Sequence, residues 1–141
     1  MQDIDKAVKI ILIVDDDDDD REMFREALQL VDDQAKCIAA EDGVAALHIL
    51  RTQPDNLPDF IFLDLNMPRM DGKQCLVAIR QTDYLRDIPV IIYTTSKHPQ
   101  DIEDTKKLGA THFISKPFYF DEICASISYV LSKDWSHATA E

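Results

Sequence analysis

The sequence predicts an α/β fold, a parallel sheet with helices on both faces. Five short apolar segments, rich in β-branched or aromatic residues, alternate with stretches of helical period. Three of them, IILIV, FIFL and VIIY, are almost continuously apolar, as strands covered on both faces must be. A length of 141 residues, 45% of them hydrophobic and 30% charged, suits one compact core.

Taken in order, the first strand is expected over Lys9 to Val14. A helix follows in which Phe24, Ala27, Leu28 and Val31 share a stripe. The second strand is expected over Lys36 to Ala40, and the third over Phe60 to Leu63, after a loop from Gln53 to Pro58 with two prolines. The loop from Asn66 to Gly72 leads into a helix with Gly72, Leu76 and Ile79 on one face. Val90 to Tyr93 reads as the fourth strand, Lys97 to Gln100 as a loop marked by Pro99, and His112 to Ser115 as the fifth strand. In the last helix Ile123, Ile127, Val130 and Leu131 form the stripe, with Asp121 as N-cap. The expected boundaries are an N-terminal extension over 1–8, one domain over 9–133 and a frayed tail over 134–141, with no attached output domain.

Charge restricts the partners. Fifteen basic against 27 acidic residues give a formal net charge of −12, which repels nucleic-acid phosphates and anionic lipid. The apolar run from Val8 to Val14 is interrupted by Lys9 and falls far short of the ~20 residues of a membrane span, so a cytoplasmic protein is expected. Cys37, Cys75 and Cys124 fit neither a disulfide framework nor a zinc motif and are expected to be buried reduced thiols. With His48, His98, His112 and His137 they show no ligand spacing on a shared face.

Asp15 to Asp20 is a run of six aspartates, and a charge run is ordinarily a solvated surface. This one begins where a buried strand ends, at the carboxyl edge where open α/β sheets bind ligands. Asp15 and Asp16 are therefore assigned to a site, and Asp17 to Asp20 to the cap and first turn of a helix, where the dipole favours negative charge. Asp64, after the third strand, lies at the same edge. Three converging carboxylates call for a hard cation, Mg²⁺ or Mn²⁺, with the backbone carbonyl of Asn66 as a further ligand. Thr94 and Lys116 end two other strands. Alone, the first is a turn or cap residue and the second a surface charge; together with the carboxylates they make a site for a phosphoryl group beside a divalent metal.

These motifs closely resemble those of the response-regulator receiver family over nearly the whole chain. IILIVDD resembles its metal-binding acidic pair, IFLDLNMPRMDG its phosphoacceptor strand and loop, PVIIYTTS its switch strand and FISKPF its lysine motif. The resemblance implies a flavodoxin-like, doubly wound five-stranded sheet in the order 2-1-3-4-5, with Asp64 as phosphoacceptor. It implies a phosphoryl donor that is a sensor histidine kinase, a phosphotransfer protein or a small molecule such as acetyl phosphate. It further implies that Thr94 and Phe113 switch conformation, that Asn66 and Ser96 tune the phosphoryl lifetime, and that a cis bond joins Lys116 to Pro117. Output would pass to a downstream protein through the face of helix 4, strand 5 and helix 5, from a monomer or a phosphorylation-dependent homodimer.

Phe113 departs from the tyrosine often found at its position, and Phe118, Tyr119 and Phe120 form an unusually aromatic segment that suits core and docking roles equally. A small phosphatase of the haloacid-dehalogenase kind would need a general acid two residues after its nucleophile, where this chain has Asn66. A phosphorylation-independent interaction module would be expected to have lost a site residue, and none is lost.

Overall fold

The computed structural model describes residues 8–135. The chain runs β1 (Ile10–Val14), α1 (Asp18–Val31), β2 (Lys36–Ala40), α2 (Gly43–Thr52), β3 (Phe60–Leu63), α3 (Gly72–Gln81), a short 3-10 turn, β4 (Val90–Thr94), α4 (Pro99–Lys107), β5 (His112–Ser115) and α5 (Phe120–Ser132). All strand pairs are parallel, in the order β2-β1-β3-β4-β5. The strands expected from the sequence are present with end shifts of one residue at β1 and β4. The shift at β4 makes Thr94 the last residue of the ladder, paired with Ser115.

Side chains alternate across the sheet, so each central strand feeds two cores. Leu12, Val14, Ile61, Leu63, Val90 and Ile92 pack with Leu47 and Leu50 of α2 and Leu76 and Ile79 of α3. Ile11, Ile13, Phe62, Ile91 and Tyr93 face the other way, against Phe24 and Leu28 of α1 and Ile123, Ile127 and Val130 of α5. Phe24, Phe62 and Tyr93 interlock as tilted and edge-on rings, with centroids 4.8 to 6.0 Å apart. α4 is the exception: its only buried residue is Thr105. Among the described residues no helix is long and apolar enough to cross a membrane.

The structure corrects four expectations. The Lys116–Pro117 bond is trans, since no cis peptide occurs among the described residues. Trans is the favoured isomer by ~0.5–1 kcal/mol even before proline, and Lys116 makes all of its site contacts with the bond in that form. Asp121 is not the N-cap of α5: Tyr119 occupies that position without a side-chain cap bond, and Asp121 and Glu122 lie in the first turn, where the helix dipole still favours them. The tail does not fray at 134. The Trp135 indole N–H donates to the Val130 carbonyl at 2.8 Å, and its ring meets Tyr129 and His112. The thiols are free, but only Cys75 is buried; Cys37 and Cys124 are half-buried. Burial pushes the Cys75 thiol up to about 12, which keeps it protonated and unreactive. Residues 1–7 of the expected extension and 136–141 of the expected tail, His137 included, lie outside the described residues.

Gly72, the first residue of α3, shows how tightly the site is framed. A Cβ there would stand 2.2 Å from the Asp64 carbonyl oxygen and 2.7 Å from Leu65 Cα, both backbone atoms that cannot swing aside. Gly72→Ala is therefore expected to lower the urea-unfolding free energy by about 1–3 kcal/mol, the usual cost of overpacking. An unchanged unfolding midpoint would show that α3 can move away from the acceptor strand.

Candidate functional site

Parallel strands deliver their carboxyl ends to one edge, and the site is built there. Asp15 follows β1 and is held by the ladder, its N–H donating to the Ala40 carbonyl at 3.0 Å. Its side chain is fully buried. Oδ1 accepts the Asp17 N–H at 3.0 Å, while Oδ2 accepts no hydrogen bond and meets the Lys116 ammonium at 2.6 Å as an ion pair. Arg21 reaches back from α1 to the Asp15 carbonyl at 2.6 Å. Asp17 caps α1 by accepting the Asp20 N–H, with Asp18, Asp19 and Asp20 in the first turn.

Asp64 follows β3, its N–H donating to the Val14 carbonyl at 3.0 Å. The residue is buried: Oδ1 accepts the Leu65 N–H at 2.8 Å, and Oδ2 lies 3.6 Å from Lys116 Nζ. Asp16 is exposed at the mouth. One carboxylate oxygen each from Asp15, Asp16 and Asp64 lie within 4.8 Å of one another. Asn66 is exposed in the loop beyond Asp64.

Lys116 leaves β5 with its N–H donated to the Thr94 carbonyl at 2.7 Å. Its ammonium sits among Asp15, Asp64 and Asp20, the last at 2.8 Å, and 5.8 Å above the Tyr93 ring. Burial alone would push this ammonium down, but hydrogen bonds and charge from the carboxylates outweigh it and the net shift is upward. Asp15 also moves up, because burial disfavours its charge more than its share of Lys116 and the Asp17 N–H restores it.

The residue types fit a hard divalent cation. The donors are all carboxylate oxygens, one buried oxygen lacks a hydrogen bond, and one ammonium is shared by three carboxylates. Asp20 lies in the first turn of α1, as expected, and its carboxylate in addition pairs with Lys116 at 2.8 Å, a contact between residues far apart in sequence.

Thr94 is fully buried and its Oγ1 accepts the Ser96 N–H at 3.4 Å. The Ser96 hydroxyl donates to Asp101 of α4 at 2.6 Å, and the Ser115 hydroxyl donates to the Ser96 carbonyl. Asp101 and Asp104 in turn share Lys73 of α3, each at 2.9 Å. A polar chain thus runs from Thr94 to α3, linking residues that sequence alone does not connect. Phe113 is half-buried against the core layer beneath α2 and α3. Phe118 and Tyr119 are exposed, with Lys97 over the Phe118 ring, whereas Phe120 packs against the α1/α5 layer. His48, His98 and His112 join no metal-binding group among the described residues.

A doubly wound sheet with an acidic pair, a third strand-end carboxylate, a threonine and a lysine at one edge defines the receiver class of signalling module. The chain belongs to the response regulator receiver domain family, whose sequence model matches residues 11–128, and is a receiver of two-component signal transduction. It is similar to the response regulator Rcp1 of Synechocystis sp., 32% identical over 120 residues that span 82% of each chain. The crystal structure of the Mn(2+)-bound form of Rcp1 matches with a TM-score of 0.78 at 29% identity, over 93% of this chain and 97% of that one. The phosphorylated cyanobacterial phytochrome response regulator RcpA matches with a TM-score of 0.83 at 29% identity, over 94% and 98%. The transcriptional regulatory protein PrrA of Mycobacterium tuberculosis is 35% identical over 101 residues, and this chain spans 41% of its length.

The α3–α4 bridge has a pH signature. The Asp101 carboxyl is held below its usual range by the Ser96 hydroxyl and Lys73, and that of Asp104 by Lys73 and Gln100. A depressed carboxylate contributes stability above its unfolded value of about 3.9 and loses it as pH falls through the folded value. Lys73→Met is therefore expected to flatten the fall in stability below about pH 4, read by urea midpoints across a pH series. An acid limb as steep as that of the wild type would show that the bridge is screened out.

Proposed function

We propose that this chain is a phosphorylation-controlled switch with Asp64 as acceptor, its receiver domain spanning 9–133. The observation that carries the reading is the gathering of Asp15, Asp16, Asp64 and Lys116 at the edge where Thr94 also ends its strand. Asp15, Asp16 and Asp64 would hold Mg²⁺, or Mn²⁺, with the Asn66 carbonyl. The metal, when bound, offsets charge on the phosphoryl oxygens. The manganese in the Rcp1 structure and the phosphorylated state of RcpA support the same chemistry in similar proteins.

In the proposed reaction Asp64 Oδ2 is the attacking oxygen, since Oδ1 is engaged by the Leu65 N–H. A new bond forms from that oxygen to phosphorus as the bond from phosphorus to a histidine nitrogen, or to the oxygen of acetate, breaks. The leaving group keeps the electron pair, and Asp64 is left as an acyl phosphate. Lys116, already 3.6 Å from Oδ2, neutralises the incoming phosphoryl oxygens. Asn66 and Ser96 set how long the acyl phosphate survives, Ser96 from a position fixed by Asp101.

Thr94 then turns its hydroxyl to the phosphoryl group and Phe113 follows inward. Inverting a 1:99 equilibrium takes ~5.5 kcal/mol. Hydrogen bonds to a charged group contribute ~1.5–3 kcal/mol each, so Thr94 and Lys116 together approach that scale. The altered surface is the α4–β5–α5 face, read by a downstream protein or by a second copy of the chain, in the cytoplasm, with a sensor histidine kinase or phosphotransfer protein as donor.

Intact-mass spectrometry after incubation with acetyl phosphate and Mg²⁺ tests this. The wild type is expected to gain a single phosphoryl group, with no gain when a chelator replaces Mg²⁺ and none in Asp64→Asn. A wild type that gains nothing, or an Asp64→Asn variant that gains as much as the wild type, sinks the assignment. Repeated phosphate release from small monoesters would instead mark a phosphatase.

A further inference from the structure

Arg69 is the one non-glycine residue among the described residues with positive φ, at 65°. The Met70 N–H donates across it to the Pro68 carbonyl at 2.7 Å, closing a γ-turn of the rare, strained kind. Arginine has no special tolerance for this conformation, which persists only where its surroundings over-determine it. Those surroundings are the start of α2. The Arg69 guanidinium pairs with Asp42, whose side chain is 2% exposed and whose other oxygen caps α2 through the Ala45 N–H at 2.8 Å. A carboxylate buried that deeply needs a cation, and Arg69 supplies it from the surface. The next residue, Met70, lies against Gly43 so closely that a Cβ there would be 3.0 Å from its Sδ. At its base the loop is closed by the Gly72 N–H on the Leu65 carbonyl at 3.0 Å. Asn66 lies between this clasp and the Arg69 anchor.

We propose that the Asp42–Arg69 pair fixes the loop that carries Asn66, making Arg69 a positioning residue for divalent-cation binding at the Asp15, Asp16 and Asp64 cluster. The inference rests on the metal-site assignment made above. Arg69 itself touches neither the cluster nor a phosphoryl group. It acts by holding a strained turn in register, so that the Asn66 carbonyl stays where a cation held by the carboxylates can use it. The competing account is a plain surface ion pair, and exposed pairs commonly contribute little.

Calorimetric titration of Mg²⁺ into the full chain, beside urea unfolding in chelator, separates the two. R69Q and D42N, the second of which keeps a cap acceptor, are each expected to weaken Mg²⁺ binding by about threefold or more, the scale of coupling between groups in contact. R69K should recover most of the affinity, and the double variant should be no weaker than the weaker single one, since the two residues act as a unit. Mg²⁺ affinity in R69Q equal to that of the wild type overturns this inference alone. So does a loss that R69K fails to rescue and that follows the unfolding midpoint across the set, since that marks a general loosening. A wild type that binds no Mg²⁺ overturns the metal-site assignment and this inference together.

Discussion

Repulsion among carboxylates that the fold itself brings together is the constraint on which the rest depends. Parallel strands end at one edge, so Asp15 after β1 and Asp64 after β3 become neighbours as soon as the sheet forms, with Asp16 and Asp20 close by. Two like charges 4 Å apart cost ~4 kcal/mol at an effective dielectric of 20. Against these the chain sets the Lys116 ammonium, backbone N–H groups from Asp17 and Leu65, and the positive end of α1. The compensation is partial, since a single ammonium is shared by Asp15, Asp20 and Asp64, and burial adds its own penalty to the Asp15 charge. A site left short of positive charge is one in which a cation or a change in phosphorylation has leverage.

That leverage requires a rigid frame, and the β3–α3 connection provides it. Gly72 allows α3 to start almost against the Asp64 carbonyl, and the Asp71 carboxylate with Gln74 forms a reciprocal capping box at that start. The β2–α2 turn supplies the opposite wall through Asp42 and Gly43. The loop beside the acceptor is therefore seated on two helix N-termini at once, and a strained arginine is tolerated within it because both are fixed by apolar burial beneath.

Legibility in the sequence followed burial. IILIV, FIFL and VIIY have apolar residues on both faces, so strand, position and edge could be read directly, and with them Asp15, Asp64 and Thr94. The helices over Phe24 and Ile123 showed their stripes for the same reason. α4 showed none, because PQDIEDTKK buries only Thr105 and is held largely by polar contacts whose partners are distant in sequence. Lys73 with Asp101 and Asp42 with Arg69 are invisible for that reason: each pair joins two loops or helix starts that only the folded sheet brings together. The start of α5 misled because an aspartate suggests a cap, while the backbone turns helical two residues earlier, at Phe120 behind Tyr119. The ordered Trp135 was missed because a lone aromatic in a polar tail has no period to betray its packing on Tyr129 and His112.

The same contrast explains how one small domain can be both rigid and switchable. Elements fixed by apolar burial open only at a large share of the global unfolding free energy, whereas those held by exposed polar contacts rearrange at far lower cost. Here α1, α2, α3 and α5 are of the first kind and α4 is of the second. It is also α4 that the Ser96–Asp101 bond connects to the Thr94 hydroxyl, and Lys73 that ties it to α3, whose first residue touches the Asp64 backbone. A change in charge at Asp64 thus meets stiff structure on most sides. The compliant direction runs through Thr94 and Ser96 into α4, the helix whose position depends on hydrogen bonds and ion pairs instead of a packed core.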